Sequence, residues 1–265
     1  MRSTTTTGII CLDDSYGLTY RIAKITYIEW EDETFEYQIE PCYPVIDLLK
    51  PDLFQGIPGL DLSLRKTVYR RTNMTPTFIE ERTPGPKREN LQELLEDEGM
   101  QHLNRLEWLI RTDLRYSGDC LYVRRWQPSD DERIIALEEL SVLGTQSGQQ
   151  ARGILQLLCM GYIIETPSFT IDDGARSTVY HLLLSLYKAN RTFAEAHQKA
   201  GIERAKQQGK YRGRKPKSIN LRDLDAAAKR YFAKTITAKE AAASLGVSPA
   251  TFHRRLRRLY PERYQ

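Results

Sequence analysis

Between Thr237 and Leu256, caps, small residues, a glycine and apolar positions fall into one register. That register admits little besides two short helices joined by a tight turn. Thr237 and Glu240 form a capping box, and Ala241 and Ala242 are small where two helices must cross closely. Gly246 supplies the turn, and Ser248 with Pro249 offers an N-cap and a favoured first-turn residue for the next helix. Phe252 and Leu256 then point inward. With the apolar positions Leu221, Leu224, Tyr231, Phe232 and Ile236 upstream, residues 218–265 read as a three-helix unit of helix-turn-helix type.

Charge gives this unit a partner class. Residues 199–265 hold 18 Lys+Arg against 5 Asp+Glu, a balance of +13, whereas the chain as a whole is +4, leaving residues 1–198 near −9. Two regions of opposite sign imply two jobs. A basic region with an apolar skeleton of its own is expected to fold and to meet a polyanion. Outside Phe252 and Leu256, the last helix offers Ala250, Thr251, His253, Arg254, Arg255, Arg257 and Arg258 to base edges and phosphates of a major groove, with Ser248 at its start. The tether before the unit carries Arg212, Gly213, Arg214 and Lys215, flat and flexible enough for the narrow minor groove of A·T-rich DNA. The plainer alternative is a solvated basic helix pair with no groove specificity.

The remainder sets bounds. A 265-residue chain with 40% hydrophobic content can bury one good core and a small second one. No apolar run approaches the roughly 20 residues that cross a bilayer, and Met1-Arg2-Ser3-Thr4 leads into no signal-type core, so no membrane partner is expected. Cys11, Cys42, Cys120 and Cys159 are scattered without a Cys-x-x-Cys pair, which favours reduced thiols in a cytoplasmic protein over a zinc site or disulfides. No cofactor or metal is implied. Carboxylates such as Asp47, Asp61, Glu80 and Glu81 would be needed for a metal-dependent nuclease, but they show no ligand spacing.

Residues 17–40 alternate apolar and polar around the acidic turn Glu31-Asp32-Glu33, which predicts an antiparallel hairpin. Residues 41–61 read as an irregular packed segment with one short helix. Asn90 and Glu93 suggest a capped helix ending at Gly99, and a second helix is expected over about 101–112. Strand-like residues 120–123 follow. A strand at 134–137, a helix over about 148–159 and a strand at 162–164 have the spacing of a parallel β-α-β unit. Asp172 or Asp173 then caps a helix running from Ala175 to about Gln208. A helix of that length spans about 50 Å, so its stripe of Val179, Leu182, Leu183, Leu186 and Phe193 is expected to meet a second copy, giving a homodimer through residues 175–208. A helix broken near Asn190 or Gly201 and packed in cis is the alternative.

The C-terminal half resembles a serine recombinase of the resolvase/invertase type. The resemblance is carried by the run from Ala200 to Pro216 (Ala-Gly-Ile-Glu-Arg-Ala-Lys-Gln-Gln-Gly-Lys-Tyr-Arg-Gly-Arg-Lys-Pro) and by Ala241 to Phe252. It extends more weakly back to about residue 134, through the spacing of Leu140–Ile164 and the position of the long helix; residues 1–115 do not share it. In such recombinases a serine attacks the DNA phosphate among several arginines. Here the run Tyr122-Val123-Arg124-Arg125-Trp126-Gln127 keeps Arg124 but has Trp126 in the serine position. Ser141-Val142-Leu143-Gly144-Thr145 stands where the family has Asp-Arg-Leu-Gly-Arg, and Arg191 matches an arginine on the long helix. Ser3, Ser117 and Ser129 are poor substitutes for the nucleophile.

The resemblance thus implies an α/β chain in four parts. These are an unassigned α+β domain over 1–119, a truncated resolvase-like core with the long dimerisation helix over 120–208, a basic linker over 209–217 and the helix-turn-helix domain over 218–265. The function implied is sequence-specific binding of double-stranded DNA without catalysis, as a regulator or accessory factor on prokaryotic nucleoid, plasmid or phage DNA. The acidic N-terminal region is then free for a protein partner. The alternative is an active site-specific recombinase with a rearranged site.

Overall fold

A computed structural model describes residues 3–116, 118–208 and 218–263. The chain is mixed α/β and forms two compact units, residues 1–195 and 196–265. The first is built on an antiparallel sheet of β1 (Ser3–Asp13), β2 (Thr19–Trp30), β3 (Phe35–Pro41), β4 (Tyr69–Thr72) and β5 (Leu121–Arg125), in the order β4-β3-β2-β1-β5. The hairpin expected over 17–40 is β2–β3, pairing Trp30 side to Phe35 side across a turn in which Glu33 takes a positive φ and Asp32 accepts from Thr34. In the β1–β2 ladder Ile10 pairs with Ala23 and Cys11 with Arg21, so Ile22 is an extra residue. A bulge of this kind shifts the side-chain parity, which lets Tyr20 and Ile25 both reach the core although they are an odd number apart.

Strand β1 is central and has no alternating pattern, because Gly8–Leu12 is buried on both faces. Ile10 and Leu12 join the main core, while Ile9 and Cys11 pack with Tyr122 and Trp126 on the other face. Gly8 is required by close approach: a Cβ there would lie 2.6 Å from Val123 Cγ1 on β5. Short helices α1 (Tyr43–Ile46) and α2 (Thr77–Glu80) precede α3 (Leu91–Asp97) and α4 (Arg105–Thr112). Helix α4 starts later than the sequence pattern suggests because Asn104, whose side chain accepts from Glu107 N–H at 3.0 Å, is the cap.

A second, small sheet has the order β6 (Ile134–Ala136), β7 (Ile163–Glu165), β8 (Thr170–Ile171). Strands β6 and β7 are parallel and joined through α5 (Ser147–Cys159), the crossover unit that the spacing predicts. Helix α6 (Asp173–Gln207) follows without interruption. Helix α5 is tied to β2 by the Gln156 amide, which donates to Thr19 O at 2.8 Å and accepts from Thr19 N–H at 3.2 Å. Leu155, Leu158, Ile164 and Tyr180 therefore share one core with Ile10 and Tyr20. The division expected between residues 119 and 120 falls inside this unit: β5 pairs with β1, so Leu121–Arg125 complete the N-terminal sheet.

Arg124 on β5 donates to both oxygens of Asp130, one at 2.8 Å, and Asp130 also accepts from Gln127 N–H at 2.7 Å. Burial pushes the Asp130 carboxyl up, but the Arg124 hydrogen bonds, the Gln127 N–H and the Arg124 and Arg21 charges outweigh it and hold the group below its usual range. A depressed carboxylate stabilises the fold above the unfolded-state value of about 3.9 and loses that contribution as pH falls through the folded value. Urea midpoints measured from pH 7 down to about pH 3 should therefore fall less steeply in Asp130→Asn than in the parent. Equal acid slopes in the two proteins would exclude this pair as a source of the acid sensitivity.

Candidate nucleic-acid interface

Residues 218–263 place three helices around one small core: α7 (Leu221–Phe232), α8 (Ala238–Ser244) and α9 (Pro249–Leu259). Each start is capped. Asn220 accepts from Arg222 N–H at 3.0 Å, and Thr237 and Glu240 form the reciprocal box, with Thr237 N–H donating to Glu240 Oε2 at 2.7 Å. These bonds hold the Glu240 carboxyl below its usual range. Ser248 Oγ accepts from Thr251 N–H at 3.3 Å, and Pro249 opens α9. The turn between α8 and α9 depends on Gly246, whose φ of +60 is the left-handed conformation that glycine adopts without a Cβ penalty.

Phe252 and Leu256 are fully buried against Leu224, Ala228, Ala241 and Ala242. The Tyr231 ring meets Phe252 edge-on at 5.6 Å and lies 5.8 Å from His253. On the far side Tyr260 OH donates to Asp225, which also pairs with Lys229 at 2.9 Å. The Tyr260 bond first, then Lys229, lowers the Asp225 carboxyl. Asp225 gave no sign of this in the sequence, because the brace joins two ends of the unit.

The core fixes which expected residues face outward. At about 100° per residue, Arg254 lies diametrically opposite the midpoint of Phe252 and Leu256. Ala250, Arg254, Arg257 and Arg258 are exposed, whereas Thr251, His253 and Arg255 are half-buried at the margins. Among the described residues, Arg254 and Arg258 have no carboxylate partner. Ser248 is exposed but occupied as the cap, and the Thr251 hydroxyl lies 3.0 Å from it, so both have a structural task. Arg212, Gly213, Arg214 and Lys215 lie outside the described residues, as does Ser117.

The residues aligned with recombinase chemistry are divided among several elements of the first unit. Arg124 is held on the sheet by Asp130, and Trp126 packs on Ile9 and Cys11 while its Nε1 donates to Asp131 at 3.2 Å. Ser3 begins β1 opposite Trp30, and Ser129 sits in a single 3₁₀ turn. Leu140–Leu143 form another such turn leading into α5. Arg191 bonds Glu195 at 3.0 Å and borders a groove of about 530 Å³ with Ser147 and Arg152. Asp47 pairs with Arg65 at 2.6 Å, Asp61 caps Ser63, and Glu81 lies 3.8 Å from Arg82. Among the described residues no group of three or more His, Cys, Asp or Glu side chains is arranged to hold a metal ion, and no helix is long and apolar enough to cross a membrane. Compared with known proteins, the chain matches no family model and no curated protein.

Proposed function

We propose that this protein binds double-stranded DNA sequence-specifically as a dimer, without catalysis, and acts as a regulator or accessory factor of recombinase ancestry. The observation that carries the reading is the outward face of α9: a capped helix on its own small core, with Arg254 and Arg258 meeting no carboxylate among the described residues, beside Ala250 and directed away from Phe252 and Leu256. Helix-turn-helix recognition uses this geometry, with base contacts from the first turns and phosphate contacts from flanking cations. The tether Arg212–Lys215 would add minor-groove contacts.

The DNA site is first selected from a random-sequence pool and binding is then followed by fluorescence anisotropy. Arg254→Ala should weaken the selected site by about 1–3 kcal/mol and relax preference at one base position. Arg258→Ala should weaken all sequences alike and lower the salt dependence. No selected sequence, or an Arg254→Ala variant as specific as the parent, would remove the proposal. Covalent protein–DNA adducts on a supercoiled plasmid that disappear on replacing one serine would favour the recombinase reading instead.

Dimerisation is assigned to α6, where Leu182 is 60% and Leu186 is 51% exposed, four residues apart on one face. With Phe193 at 67% exposed on the same helix, these residues would give a second copy apolar surface to cover. Sedimentation equilibrium at micromolar concentration should give a dimer for the parent and a monomer for Leu186→Glu. A parent that sediments as a monomer would refute the assignment.

A further inference from the structure

A cleft of about 450 Å³ opens in the first unit between the turn after β1 and the inner face of α6. Leu48, Leu53 and Leu184 give it an apolar floor, with the buried Tyr20 and Tyr180 hydroxyls 2.8 Å apart beneath. At one end Ser15, Tyr16 and Lys188 form a wall shared with a second hollow of about 300 Å³. A cleft of this size, mostly apolar with a few convergent polar groups, is the usual form of a small-molecule site.

Its charged lining is Asp13, Asp14, Lys50, Asp52 and Lys188, with Lys50 and Asp52 at exposed positions, and the groups at the Tyr16 end decide the ligand. Asp13 is occupied by Arg115, Thr19 and Tyr122, and Asp14 by the N–H groups of Tyr16 and Leu18 and by Tyr20 OH. Each carboxylate thus accepts three hydrogen bonds from within the protein, and Arg115 also neutralises Asp13. Lys188 is different: half-buried, its ammonium rests 4.7 Å from the Tyr16 ring and meets no carboxylate among the described residues. Helix α6 therefore brings a cation with no ion-pair partner among the described residues to the end of an apolar trough, and beside it the Ser15 hydroxyl makes no hydrogen bond to another described residue.

We propose that this cleft binds a small amphiphilic monoanion, its apolar body on Leu48, Leu53 and Leu184 and its anionic head on Lys188 and the Ser15 hydroxyl. The site is independent of the DNA-binding face on α9. Two dyes differing only in the head test it on the full chain: anilinonaphthalene sulfonate, and its neutral counterpart N-phenylnaphthylamine. Fluorescence titration should show one site per chain, with the sulfonate bound about tenfold more tightly than the neutral dye. Lys188→Gln should erase that preference while leaving the neutral dye in place, and Leu184→Trp, filling the floor, should weaken both. A circular dichroism melt identifies variants that fail to fold, and Lys188→Gln alone then carries the test. Equal binding of the two dyes, a preference that survives Lys188→Gln, or tighter binding of a hydrophobic amine than of the sulfonate would overturn the proposal.

Discussion

Phe252→Ala should unfold the C-terminal unit and, with it, abolish the proposed DNA binding. Phe252 is the largest fully buried side chain of that unit, meets Tyr231 edge-on and sits where α7, α8 and α9 converge. Truncating a buried phenylalanine costs about 3–5 kcal/mol. A core this small supplies little more than that in total, so the loss takes the whole unit rather than loosening one helix. Two-dimensional NMR should show the dispersed resonances of 218–263 collapse while those of the first unit remain, and Phe252→Leu should restore most of them. If Phe252→Ala keeps its dispersion and its affinity, α9 is not positioned by this core and the assignment of its outward face to DNA fails with it.

The second large effect belongs to Arg176→Met, expected to cost the first unit about 3 kcal/mol and lower its melting temperature by about 6–12 °C. Arg176 is 1% exposed and donates to Leu158 O at 2.9 Å, to Gly161 O at 3.2 Å and to Asp173 Oδ1 at 2.7 Å. One guanidinium thus satisfies the carbonyls at the end of α5 from the first turn of α6, which fixes the two helices to each other. Methionine fills most of the volume, but Leu158 O keeps only backbone donors such as the Gly161 N–H at 3.1 Å and Gly161 O loses its guanidinium donor, and a buried polar group left unmet costs more than a lost hydrogen bond. Calorimetry of the full chain should show the first-unit transition shifted and the second unit's unchanged. A shift of less than about 2 °C would mean that water reaches Leu158 O and Gly161 O.

The local elements were readable where local chemistry dominates. The Thr237–Glu240 box, the Ser248 cap, the Gly246 turn and the β6-α5-β7 crossover all follow from residues close together in the chain. Strand β1 was not readable: Gly8–Leu12 is a continuous apolar run, and the period-two signal of a strand vanishes when both faces are covered. Strand β4 was missed because an edge of four residues, Tyr69–Thr72, is too short to carry a pattern. The apolar stripe of α6 was visible, but which part of it is covered was not. Val179 and Leu183 turned out to pack on the core and Leu182 and Leu186 to stay open, because the position of the sheet decides it.

The sequence by itself determined the composition of the basic end, the caps and turn of its helices, and the opposition of charge between residues 1–198 and 199–265. These are properties of residues within one or two turns of each other, whose energetics do not wait for the rest of the chain. Tertiary structure alone decided that Leu121–Arg125 complete the N-terminal sheet, that Arg124 is held by Asp130, and that Arg176 closes α5. It also brought Ser15 and Lys188, 173 positions apart in the chain, to one end of a cleft. Such pairings cost loop closure before they return any energy, so they form only when a whole core forms with them, and no local pattern announces them.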